Sequence, residues 1–221
     1  METELGVVIN AETTLLLLIY LPVLSWAIYR APWQSASSKP IQHIWPILCA
    51  CTFLIWQMDI SLMDNTVHIH LIGATLLTVL FGWQFSVIGL SSVLLATCVL
   101  QKLSILVFSM ASFSLIVVPI FTSYWIVRLV YRYLPRHFFV FIFLSGFANA
   151  AVAIFCSGIT NSVLLDVLSN LDSMQIWQHT LPASLLLVFP EAFITGAVLT
   201  IFVVYRPEWV RSFHDEQYLN K

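Results

Sequence analysis

The chain has 221 residues, of which 60% are hydrophobic and 9% charged, and its mean hydropathy is +0.92. A water-soluble domain of this size could not carry that apolar excess on its surface, so the sequence reads as a polytopic membrane protein in contact with membrane lipid. The formal charge of −2 is spread over short polar segments, which leaves no basic field for nucleic acid.

A membrane-crossing helix needs about 20 apolar residues. By that measure the predicted fold is all-α, a single integral membrane domain of seven spans at 13–29, 44–58, 67–82, 85–100, 104–130, 138–159 and 183–205. The leading stretch METELGVVINAETT is acidic and lacks the positive start of a cleavable signal, so the first span is expected to stay. Trp26, Trp33, Trp45, Trp56, Trp83 and Trp177 fall near predicted span ends, as interfacial aromatics do. Within 161–179, Leu164, Val167, Leu168 and Leu171 oppose Asp166, Asn170 and Asp172, the spacing of an amphipathic helix along the external interface. The tail, 206–221, opens with Pro207, which stops the last helix, and offers Trp209, Phe213 and Tyr218 to a partner.

With the N-terminus outside, eight of the nine Lys and Arg residues fall on the cytoplasmic side and only Lys102 outside. That bias predicts an external N-terminus and a cytoplasmic C-terminus. Asp59, Asp64, His68 and His70 then share the external face, with Glu12 able to join them. All four cysteines, Cys49, Cys51, Cys98 and Cys156, lie in apolar runs and read as small buried hydrophobes. The divergence of side chains two apart on a helix discounts Cys49-Ala50-Cys51 as a soft-metal pair.

His68-Ile69-His70 carries the most chemistry. Two residues apart, the imidazoles diverge on a helix but fall on one side of an extended chain. Asn65 or Thr66 as a helix cap would put His68 in a first turn and weaken the pair. Neutral imidazole suits nickel, cobalt, copper and zinc, and Met58-Asp59 and Met63-Asp64 add thioether and carboxylate groups nearby. Two readings stand, a transition-metal site led by the deeper His70 or an interfacial histidine bonded to backbone or water. Glu191 is the second signal: a carboxyl inside the last predicted span, directly after Pro190, must be paired, protonated or wetted. It and Asn149 are expected to face the bundle interior and pair there, where Gly146, Ala148, Ala150, Ala151, Gly196 and Ala197 let two helices approach. No phosphate-binding loop and no H-E-x-x-H or G-x-S-x-G motif occurs, so neither ATP hydrolysis by that route nor an intramembrane enzyme is expected.

His70-Leu71-Ile72-Gly73 and Leu80-Phe81-Gly82-Trp83 resemble blocks of the substrate-capture subunits of energy-coupling-factor cobalt and nickel transporters, the CbiM/NikM family. Pro190-Glu191-Ala192-Phe193-Ile194-Thr195-Gly196-Ala197, with Arg206-Pro207 beyond, resembles that family's closing block. A divergent bacterial branch is more similar still at Arg30-Ala31-Pro32-Trp33, Leu134-Pro135-Arg136-His137 and Tyr205-Arg206-Pro207-Glu208-Trp209. The resemblance implies a seven-helix inner-membrane permease subunit that captures a divalent ion outside and works with a transmembrane coupling protein and ATPase subunits. It also implies a ligand set that joins the histidine matching His70 to a Met-His start, where this chain has Glu2. The sequence thus predicts uptake of nickel, cobalt or copper through His70, His68, Asp64 and Asp59. The alternative is a non-transporting subunit or assembly factor of a larger membrane complex, copper-related in one version.

Overall fold

The computed structural model describes residues 11–36, 39–58, 60–62, 67–69, 71–135, 137–168 and 173–213. These form α1 (Ala11–Arg30), the short α2 (Trp33–Ala36), α3 (Lys39–Gln57), strands β1 (Ile60–Leu62) and β2 (Val67–Ile69), α4 (Ala74–Phe81), α5 (Trp83–Gln101), α6 (Ile105–Tyr133), α7 (Phe138–Leu168) and α8 (Ser173–Tyr205). By length and composition α5 to α8 can each cross a membrane, and α1 carries a shorter apolar run. The protein is therefore a polytopic helix bundle, as its composition demands.

Three sequence expectations are corrected. The predicted span 67–82 is not one helix: β2 pairs antiparallel with β1, with His68 opposite Ser61, and helix begins only at Ala74. At eight residues α4 is about 12 Å long, less than half a bilayer core. The predicted surface helix over 161–179 is absent among the described residues, because α7 runs on to Leu168 and α8 starts at Ser173. Both helices are longer than a membrane requires, and near their facing tips the indole of Trp177 reaches the Asp166 carboxylate. Finally, Trp56 and Trp83 are core residues, 3% and 8% exposed, not interfacial anchors. Trp83 stacks against Trp26 and Phe121.

The half-helix is the centre of the bundle. Seven of its eight residues are buried, and α3, α5, α6, α7 and α8 all pack around it. Glycines with positive φ bracket it, Gly73 at 70° and Gly82 at 85°, conformations that a side chain would strain. They let an extended segment turn into α4, and α4 turn directly into α5.

Two of the long helices around it are irregular. In α6 the residues 112–117, just before Pro119, adopt π-helical register, and in α7 the residues 141–148 do the same. Such register strands a carbonyl, which lipid cannot satisfy. The Val118 amide bonds to Phe113 O, bypassing Ser114 O, and the Ser157 hydroxyl donates to that carbonyl from α7. The Asn149 amide likewise bonds to Leu144 O and Gly146 O, and the Asn149 side chain takes up the bypassed Ser145 O at 3.1 Å.

α7 and α8 meet through small residues, as expected from Gly146 and Gly196. A Cβ on Gly196 would run into the Phe147 ring, whereas one on Gly146 would lie 3.4 Å from Gly196 Cα and 3.1 Å from the Leu199 side chain. Gly196→Ala is therefore expected to destabilise the protein by roughly 1–3 kcal/mol through overpacking, and Gly146→Ala by less. Thermal unfolding in mild detergent checks the order; equal midpoints for both variants and the parent contradict this packing.

Candidate functional site: the capped half-helix and its extended approach

The start of a helix leaves amide hydrogens without intrahelical acceptors, and inside a membrane bundle those must be met by protein. Glu191, on α8 and 3% exposed, meets them across the bundle. Its Oε2 accepts the Ile72 amide at 2.9 Å and its Oε1 the Gly73 amide at 2.8 Å. The positive φ of Gly73 aims two successive amides at one carboxyl, the geometry of an anion-binding nest. The carboxyl also sits at the positive end of the α4 dipole. Both oxygens are turned to backbone, so Glu191 is a positioning group for the segment before α4.

That segment is held from a second side by Trp56 at the end of α3, whose indole donates to Leu71 O at 2.9 Å. Thr52 lies beneath Gly73, where a Cβ would come within 3.3 Å of its hydroxyl. β2, Leu71, Ile72 and Gly73 thus form an extended approach to α4, pinned by α3 and α8. Beside it lies a cavity of about 440 Å³, which Trp56 and Ile72 line together with residues of α5 to α8. Its polar lining is neutral among the described residues: Thr97, Gln101, Ser114, Ser157, Asn161, Thr180 and Ser184.

Glu191 and Asn149 are both interior, at 3% and 0% exposure, but no hydrogen bond joins them in the described structure. The expected pairing is replaced by two separate arrangements. Asn149 donates to Ser145 O and, at 3.4 Å, to Ser123 O, while the Ser123 hydroxyl pairs with Thr75 of α4 at 2.8 Å. The physical reason is that stranded backbone groups, at the half-helix and at the π register, claim both side chains first. Of the expected ligands, His68 stands in β2 on extended backbone, not in a first helical turn; Asp59, Asp64 and His70 lie outside the described residues. Among the described residues no three His, Cys, Asp or Glu side chains come together as a metal site, and the four cysteines are free.

The geometry changes what a conservative substitution does. A glutamine at position 191 keeps one acceptor but turns an amide donor toward a backbone amide. Glu191→Gln should thus cost roughly 1–3 kcal/mol, approaching Glu191→Ala. A Glu191→Gln protein with parental thermal stability and slow exchange at Ile72 and Gly73 contradicts the capping role.

Comparisons with known proteins bear on the whole chain. The family described as the cobalt uptake substrate-specific transmembrane region, CbiM, matches residues 6–209. No curated protein matches the chain. Two crystal structures, described as a transition metal transporter and a truncated transition metal transporter, share the fold. The truncated protein superposes with a TM-score of 0.70 at 22% identity, covering 87% of this chain and 92% of that one. The other gives 0.70 and 22%, covering 86% and 87%. Matched over nearly its full length, the chain belongs to the CbiM family and is a membrane component of a metal uptake transporter, not an enzyme.

Proposed function

We propose that this protein captures a cobalt- or nickel-type divalent ion on the external face of a bacterial inner membrane, with His70 as principal ligand and His68, Asp64 and Asp59 assisting. The observation that carries the reading is the extended backbone at His68, two residues before His70, with the Glu191-capped turn at Ile72 and Gly73 shortly after it in the chain. On such backbone, side chains two residues apart fall on one face, so two neutral imidazoles can converge on one ion. The turn at Ile72 and Gly73 gives that segment a fixed anchor, and rigid support is what a ligand set needs to discriminate geometry. Membership of a cobalt uptake family supports the cargo class.

The distribution of basic residues supports an external N-terminus and a cytoplasmic C-terminus, with the ribbon end of the bundle outside. A transmembrane coupling protein and ATPase subunits would supply energy, since this chain has no phosphate-binding loop.

The test is metal content and cobalt binding of protein purified in mild detergent. His70→Ala should remove most binding and His68→Ala a smaller part, while both variants keep parental thermal stability. Unchanged binding in both contradicts the reading. Impermeant labelling of single cysteines at Thr3 and Asn220 in intact cells checks the orientation, which labelling of Asn220 from outside would reverse.

A further inference from the structure

The half-helix is gripped at its other end too, and by the same element. Beyond α8 the chain makes one tight turn at Pro207–Trp209 and folds back beneath α4. There the Arg211 amide donates to Leu80 O at 2.9 Å, the Arg211 guanidinium to Phe81 O at 3.2 Å, and the Ser212 hydroxyl to Val79 O at 2.7 Å. With Gly82 N on Thr78 O at 3.0 Å, each of the last four carbonyls of α4 has a donor. Val210 and Phe213, 1% and 5% exposed, bury this return, and the Phe213 ring packs on Phe141. The tail up to Phe213 is therefore part of the bundle, and Phe213 is not free to dock a partner.

Consequently α8 and its return hold α4 at both poles of its dipole, with Glu191 at the positive end and Arg211 at the negative end. An isolated helix needs about 12 to 15 residues to be even marginally stable, and α4 has eight. Fraying one end would consume about half of its two turns and reach Gly73. We propose that Arg211 and Ser212 are positioning residues for the approach segment Val67–Gly73: releasing the tail loosens α4 and frees Ile72 and Gly73 from Glu191, at the opposite end of the half-helix. In the topology proposed above, this makes the tail the cytoplasmic handle on the external capture segment. The mechanical claim itself does not depend on what ion is carried.

The test is residue-resolved amide hydrogen exchange on the full-length protein in lipid nanodiscs. In Arg211→Ala/Ser212→Ala, exchange at Ile72 and Gly73 should quicken about tenfold or more, while amides of the α7 and α8 cores stay as in the parent. Ser212→Thr, which keeps the hydroxyl, should stay close to the parent. Faster exchange at residue 211 with unchanged Ile72 and Gly73 overturns the coupling. If the double variant leaves residue 211 protected, Arg211→Pro removes that donor outright and the same comparison decides. Binding of Co²⁺ alone should weaken severalfold in the double variant. A parent that binds no Co²⁺ refutes the proposed cargo, yet the exchange comparison still decides the coupling.

Discussion

The constraint on which this structure depends is that a broken helix inside a membrane exposes backbone groups that lipid cannot satisfy. From Leu71 to Gly73 the chain is neither strand nor helix, and each unmet amide there would cost several kcal/mol. One carboxyl from α8 accepts two of these amides and neutralises a helix end at the same stroke. A charged residue in a membrane helix often marks a transport route; here both oxygens of Glu191 are taken up by backbone amides.

The same logic explains the buried polar residues, which among the described residues are serine, threonine, one asparagine and one glutamate. Ser157 and Asn149 answer carbonyls stranded by π register in α6 and α7. Thr75 with Ser123 joins α4 to α6, and Tyr20 with Ser91 joins α1 to α5 at 2.6 Å. Hydrogen bonds between membrane helices are modest one by one, but those at α4 and at the π segments of α6 and α7 also hold irregular elements in place. The consequence is a hydrogen-bonded frame around one short, end-held helix.

Much of this was legible from composition and periodicity, and the part that was not has a physical cause. α1, α3 and α5 to α8 follow apolar runs whose ends the sequence marks within a few residues, with α7 and α8 running longer at their facing tips. The half-helix was hidden because hydropathy weighs side chains: 67–82 is mostly apolar and carries no formal charge, while the break is a backbone event signalled only by Gly73 and Gly82. Glu191 stood out as a buried charge. Its partners did not, because amides of Ile72 and Gly73 carry no residue-type signature, whereas Asn149 looked like an obvious mate. The π register was invisible for the same reason, although Pro119 and Gly146 lie within or beside it. For the proposed metal site, residue types nominate His68 and His70; the backbone at His68 is extended, and His70 lies outside the described residues.

The measurement that meets the central claim most directly is the separation between the Gly73 nitrogen and the Glu191 carboxyl carbon in the protein reconstituted in bilayers. Selective ¹⁵N and ¹³C labelling with rotational-echo double-resonance dephasing reads it without substituting either residue. A hydrogen-bonded pair with N···O of 2.8 Å must dephase strongly. Weak or absent dephasing would mean that Glu191 does not cap the half-helix, and the account of how the approach segment is held would be wrong.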